Sequence, residues 1–154
     1  MNNKDFNEVV HLIVKEDRRY DPGAYHFLRQ ALDFTLNKVR EKEGASNTRH
    51  ISGQELAEGI REYALEQYGP MALTLLREWG LEKTEDFGEM VFNLVDYKVF
   101  GKTEQDRIED FRDVYEFEDA FGRPFRPEHA PRFYYRPGET RLNSLSSSSQ
   151  TPRA

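Results

Sequence analysis

Apolar side chains recur every three to four residues from Phe6 to Phe121, and glycine or proline separates one such segment from the next. The first segment shows the pattern clearly, with apolar residues on a single helical stripe at Phe6, Val9, Val10, Ile13 and Val14. A stripe with this spacing is the apolar face of an amphipathic helix. The repeated pattern predicts an all-α fold, a single domain of about six helices.

Residues suited to begin a helix precede most of these segments. Asp5 and Asp21-Pro22 open the first two, and Ser52 with Glu55 has the spacing of a capping box. Thr84 is predicted to cap the next long helix. A further, acidic helix is predicted after Thr103, with its apolar face formed by Ile108, Phe111 and Val114.

Helical spacing stops at Gly122. Four prolines follow between residues 124 and 137, and proline removes an amide donor and disfavours helix before it. We therefore predict an extended strap at 122–137, which completes a globular unit of residues 1–137. Residues 138–154 are rich in serine and poor in apolar side chains, a composition that predicts a disordered tail.

Composition excludes several classes of protein. The chain contains no cysteine, which removes disulfides, thiolate metal sites and cysteine nucleophiles. No run of about 18 apolar residues occurs, so no membrane-spanning helix is predicted. Residues 1–5 lack the features of a signal peptide. These observations favour a cytoplasmic protein that does not associate with membranes.

The chemistry-bearing residues do not form a known catalytic motif. The histidines are His11, His26, His50 and His129, and none lies in a zinc-protease motif. Glu8 and His11 make a single Glu-x-x-His pair, which is too little for a di-iron site. We therefore predict no metal and no cofactor, and we lean against an enzyme. The remaining enzymatic alternative joins His50 to Asp17, Arg19 and Tyr20, if the loops before the second and third helices meet.

The segment from Leu73 to Lys102 resembles a helix-turn-helix followed by the start of a wing. Gly80 permits the turn between two helices, although the turn is about one residue longer than the strict motif. Charge disfavours DNA reading, because a recognition helix offers cationic or amide side chains to DNA. Between Leu81 and Lys98 two lysines face five acids, which are Glu82, Glu85, Asp86, Glu89 and Asp96.

The strap interleaves arginine with aromatic residues, a pattern that can bind phosphate and stack on bases. The same arginines can instead face residues 104–119, which contain eight acids. Our leading hypothesis is a non-enzymatic interaction or adaptor domain with a protein partner. The alternative is a nucleic-acid-associated protein that uses the winged-helix-like segment or the strap, although the net charge of -6 disfavours nucleic acid. The candidate interaction surface comprises Tyr20, Tyr25, Arg49, His50, Arg126, Arg132, Tyr134, Tyr135 and Arg136.

Several short blocks in this chain, spread over residues 5 to 121, resemble an uncharacterised protein family restricted to Planctomycetes and Verrucomicrobia. The resemblance implies a bacterial protein and brings no activity, cofactor or site residue with it. The blocks are Asp17-Arg18-Arg19-Tyr20, Ala24-Tyr25-His26-Phe27, Ala31-Leu32, Arg49-His50-Ile51-Ser52-Gly53-Gln54-Glu55-Leu56, Tyr68-Gly69-Pro70-Met71-Ala72, Lys83-Thr84-Glu85-Asp86-Phe87-Gly88, Lys102-Thr103-Glu104 and Phe117-Glu118-Asp119-Ala120-Phe121.

Overall fold

The computed structural model describes residues 3–44, 50–101 and 106–126. Within these ranges the α-helices are α1 (Asn3–Glu16), α2 (Pro22–Glu43), α3 (Gly53–Tyr68), α4 (Ala72–Glu78) and α5 (Thr84–Asp96). Shorter helical turns lie at Gly69–Met71, Ile108–Phe111, Glu118–Gly122 and Arg123–Phe125. No strand occurs in the described ranges, and the all-α prediction is confirmed.

Two of the predicted helix starts are confirmed in detail. The carboxylate of Asp21 accepts a 2.8 Å hydrogen bond from the Gly23 amide, ahead of a proline at the first position of α2. Ser52 and Glu55 form the reciprocal capping box, with bonds of 3.1 and 3.0 Å. Helix α1 begins earlier than expected, so Asp5 lies in its first turn rather than at its cap.

Helices α2 and α3 are antiparallel and pack closely. Near the start of α2, Phe27 lies with its ring centroid 6.0 Å from that of Tyr68, at the end of α3. Further along α2, Thr35 meets Gly59. A Cβ at Gly59 would overlap the Thr35 hydroxyl and lie 2.8 Å from Thr35 Cβ. The close approach of the two helices therefore requires glycine at position 59.

A single aromatic-rich core connects all five helices with the segment that follows α5. Helix α1 contributes Phe6, Val10 and Ile13, each almost fully buried. The remaining large buried side chains come from the other helices, from the connection between α4 and α5, and from residues 111–121, and they include Tyr25, Phe27, Leu28, Ile60, Leu76, Leu81, Phe87, Met90, Leu94, Phe111, Phe117 and Phe121. Burial on this scale is the main favourable term for folding.

The prediction of an acidic helix after Thr103 is wrong for the described residues of that segment, which begin at residue 106. Ile108–Phe111 forms only one 3-10 turn, and Asp113 has a left-handed φ of 50°. The buried Thr84 hydroxyl donates to the Phe111 carbonyl at 2.6 Å and accepts from the Val114 amide at 3.2 Å. These two backbone groups are therefore paired with α5 instead of continuing a helix.

We expect Gly59→Ala to lower the free energy of unfolding by about 1–3 kcal/mol, because the added methyl group overpacks the contact between α2 and α3. Urea denaturation measures the effect. Gly101→Ala is the matched control, since no described atom lies within 4 Å of a Cβ at that position. Equal stability of the two variants would contradict the close packing of the helices.

Candidate functional site

An apolar groove of about 280 Å³ opens between α2, α3, α5 and the turn at Ile108–Phe111. Aliphatic and aromatic side chains line its floor, among them Leu32, Leu36, Leu56, Val91, Val95 and Phe100. The volume lies near the lower end of the range for small-molecule pockets, and apolar linings with a few polar groups are typical of such sites. We call this feature the apolar groove.

Two glycines allow the segment after α5 to form one wall of the apolar groove. A Cβ at Gly53 or at Gly88 would come within 2.9 Å of the Phe111 ring. The ring therefore packs directly on the backbones of α3 and α5. The Thr84 hydroxyl fixes the same residue through its carbonyl oxygen.

Polar groups surround the mouth of the apolar groove. His50 Nε2 lies 2.7 Å from Asp106 Oδ2, and 44% of the histidine side chain is exposed. Asp110 accepts a hydrogen bond from the Arg107 amide, and the Arg107 side chain is exposed. The arrangement suits a ligand with an apolar body and a polar edge.

A second structural feature is the connection between α1 and α2, which lies along α5. The Tyr20 hydroxyl donates a 2.6 Å hydrogen bond to Asp86, and Arg19 forms a 3.1 Å ion pair with Glu89. The Tyr20 side chain is buried, and this burial, followed by the nearby Asp86 carboxylate, raises the pKa of Tyr20 well above its ordinary value. Tyr20 therefore acts as a hydrogen-bond donor at neutral pH.

Asp17 anchors the other end of this connection. Its carboxylate accepts two hydrogen bonds from the Arg19 side chain, at 2.9 and 2.7 Å, and one from Asn93 at 3.0 Å. The Arg19 guanidinium, and after it the Asn93 amide, hold the pKa of Asp17 well below its ordinary value, although partial burial opposes them. Asn93 also donates to the hydroxyl of the buried Tyr25.

These contacts use polar side chains of α5, the helix in the position of a recognition helix in the predicted helix-turn-helix-like segment. Asp86, Glu89 and Asn93 all bond to the α1–α2 connection. Asp86 also accepts from the amides of Glu82 and Lys83, which holds the chain that enters α5, whereas Thr84 is the first residue of the helix and does not cap it. That prediction was wrong because the Thr84 hydroxyl is used at Phe111 and Val114. The polar side chains of Asp86, Glu89 and Asn93 are therefore engaged within the fold.

The structure corrects part of the predicted interaction surface. Tyr20 and Tyr25 are buried, with 2% and 0% exposure, and cannot contact a partner directly. His50 remains exposed on the rim of the apolar groove. Arg126 is exposed and pairs with Glu118 at 2.8 Å. The other predicted contacts lie outside the described residues, as do most of the strap and the whole tail: Arg49, Arg132, Tyr134, Tyr135, Arg136, 127–137 and 138–154.

The predicted grouping of His50 with Asp17 is not formed. Asp17 is bonded to Arg19 and Asn93, whereas the carboxylate beside His50 belongs to Asp106. The partner of His50 lies far along the chain and shares no motif spacing with it. Sequence reasoning found the histidine but had no signal for its partner.

Thr84→Val should lower the free energy of unfolding by about 2–3 kcal/mol, because it leaves a buried carbonyl and a part-buried amide without their shared partner. Thr84→Ser keeps the hydroxyl and loses one methyl group, so about 1 kcal/mol is expected. Chemical denaturation of both variants gives the comparison. If the valine variant were as stable as the serine variant, the hydroxyl bridge would not contribute to folding.

Asp17→Asn should lower stability by about 1–2 kcal/mol at neutral pH, because charge-assisted hydrogen bonds to Arg19 are lost. A carboxyl group whose pKa is lowered by folding stabilises the protein above its ordinary value of 3.8, and this contribution disappears as the pH falls further. The stability difference between wild type and variant should therefore be constant from pH 5 to 7 and shrink below pH 3.8. Denaturation series at several pH values measure it, and a difference independent of pH down to acid unfolding would contradict the ion pair.

Within the described residues no helix is long and apolar enough to cross a membrane. The same part of the chain contains no group of three or more histidine or acidic residues placed to hold a metal ion. Comparisons of the chain with protein-family models, curated proteins and solved structures gave no match.

Proposed function

We propose that the protein is an interaction domain that receives a bulky apolar side chain of a partner protein in the apolar groove. The observation that carries this proposal is an apolar floor that opens to solvent through a polar rim. Apolar or aromatic anchors buried in such pockets contribute most of the binding energy in many protein interfaces. A volume of about 280 Å³ suits one or two such side chains better than a large cofactor.

The polar groups near the apolar groove favour binding over catalysis. The Ser52 hydroxyl accepts a hydrogen bond from the Glu55 amide as a helix cap, so one of its two lone pairs is used in the fold. His50 is paired with Asp106 at the rim, above a floor of aliphatic and aromatic side chains. A partner that places an apolar anchor on the floor and polar groups at the rim satisfies both parts of the site.

The rim of the apolar groove also favours a partner with an acidic residue next to its apolar anchor. The Arg107 side chain is exposed and makes no ion pair with any residue in the described ranges. His50 Nε2 lies 2.7 Å from the Asp106 carboxylate, and Asp110 accepts the Arg107 amide. An acidic residue next to the apolar anchor could therefore reach the Arg107 guanidinium, and such pairs at a rim mainly increase specificity and the association rate.

A nucleic-acid-associated protein is the less favoured function. The first two arginines of the strap already form ion pairs in the same chain, Arg123 with Asp119 at 3.0 Å and Arg126 with Glu118. Arg77 also pairs with Glu118, at 3.0 Å.

For the interaction domain we propose a cytoplasmic location, because a chain without cysteine suits a reducing compartment.

Selection of a peptide library for binding to the wild-type protein tests the proposal. Recovered peptides should share an apolar anchor, with acidic residues enriched beside it. Gly101→Trp adds a bulky side chain at the edge of the apolar groove, where no described atom lies within 4 Å of the new Cβ. This variant should lose at least about tenfold in peptide affinity, since one buried anchor contributes about 2 kcal/mol or more.

Met71→Trp is the matched control, because Met71 is 60% exposed and does not line the apolar groove. This variant should bind the selected peptides like the wild type. Fluorescence polarisation with a labelled peptide measures all three proteins. Selection of no peptide, or equal binding by Gly101→Trp and Met71→Trp, would contradict the proposal.

A further inference from the structure

A second groove, of about 450 Å³, lies between the α1–α2 connection and the turn after α4. One wall includes Lys15 from the last turn of α1 and Arg18 from the connection. The opposite wall includes Trp79 and Gly80. We call this feature the basic groove, and it shares no residue with the lining of the apolar groove.

Two positive charges in the basic groove are available to a ligand. Lys15 and Arg18 are exposed and form no ion pair with any residue in the described part of the chain. Arg19 also lines the basic groove, but its charge is compensated by Asp17 and Glu89. The Lys15 and Arg18 side chains both belong to the lining of the basic groove.

The two walls of the basic groove are held together by backbone contacts. The Asp21 amide donates a 3.0 Å hydrogen bond to the Trp79 carbonyl. Gly80 has a φ of 92°, and a Cβ there would collide with the Arg19 carbonyl. The backbones of the two segments are therefore fixed relative to each other before any ligand binds.

The indole of Trp79 adds a hydrogen-bond donor to the basic groove. Its ring is half-buried, with the ring centroid 5.4 Å from that of Phe27. Its Nε1 lies close to Gly23, in the first turn of α2, where an added Cβ would be only 2.6 Å away. The indole N–H makes no hydrogen bond within the described ranges.

Two carboxylates also line the basic groove and oppose an anion. Asp21 is engaged as the cap of α2, where it accepts the Gly23 amide. Glu78 is exposed and lies next to Trp79. The lining thus carries three cations and two acids. Of the two acids, Asp21 caps α2, and only Glu78 has no role in a helix cap.

We propose that the basic groove binds a phosphate-bearing anion, held by Lys15 and Arg18 and by the indole N–H of Trp79. A phosphate group at neutral pH carries close to two negative charges, which matches the two unpaired cations. Arginine and lysine are the side chains that most often bind phosphate, through charge-assisted hydrogen bonds. The volume of the basic groove accommodates a ligand larger than inorganic phosphate.

Tryptophan fluorescence gives a direct readout, because Trp79 is the single tryptophan of the chain. Inorganic phosphate, pyrophosphate and ATP are titrated separately into the full chain at low ionic strength, where screening of exposed charges is weakest. A saturable change with pyrophosphate and with ATP is expected. Equal affinity for these two supports recognition of the phosphate groups alone, and tighter binding of ATP supports an added contact from the base.

Matched variants separate a specific site from general charge effects. The double variant Lys15→Gln/Arg18→Gln should bind at least about tenfold more weakly, because two charge-assisted hydrogen bonds are lost. Arg40→Gln/Lys42→Gln removes the same charge from the end of α2, outside the lining of the basic groove, and should bind like the wild type. Glu78→Gln should bind about two- to threefold more tightly, since an exposed opposing charge is removed.

Circular dichroism and thermal unfolding check that each variant is folded. The proposal is overturned if no probe gives a saturable change with the wild type, or if ATP binds and pyrophosphate does not. It is also overturned if the two double variants lose affinity equally, because the effect would then depend only on net charge.

Discussion

The rest of the structure depends on the hydrogen bonds that fix the α1–α2 connection to the polar face of α5. Asp17, Arg19 and Tyr20 bond to Asn93, Glu89 and Asp86, in antiparallel order along the helix. The connection carries α1 on one side and the start of α2 on the other, so these bonds set the position of both helices relative to α5. They also use polar side chains of α5 within the fold.

The apolar groove and the basic groove use different parts of α5 and the α1–α2 connection. The apolar groove uses Val91 and Val95 of α5, and Phe111 closes one wall because the Thr84 hydroxyl holds its carbonyl oxygen. The basic groove uses the outer surface of the connection itself, at Lys15 and Arg18. A protein partner and a phosphate-bearing ligand could therefore bind the same molecule at separate places, since the two linings share no residue.

Much of the fold could be predicted because local signals determined it, and the sites could not because their contacts are distant in sequence. The caps at Asp21 and Ser52 are short-range patterns, and both were found. The acidic segment looked helical because its apolar spacing is helical, but a buried hydroxyl 27 residues away takes the Phe111 carbonyl. Tyr20 looked like a surface contact because nothing local indicates that Asp86, 66 residues later, accepts its hydroxyl.

The central claim, that the polar face of α5 serves the fold, is tested most directly by a double-mutant cycle between Tyr20 and Asp86. Tyr20→Phe, Asp86→Asn and the double variant are unfolded in urea, and the coupling energy is the difference between the sum of the single effects and the double effect. A coupling of about 1 kcal/mol or more is predicted, because the bond is short and its acceptor is charged. A coupling near zero would contradict the contact between the α1–α2 connection and α5.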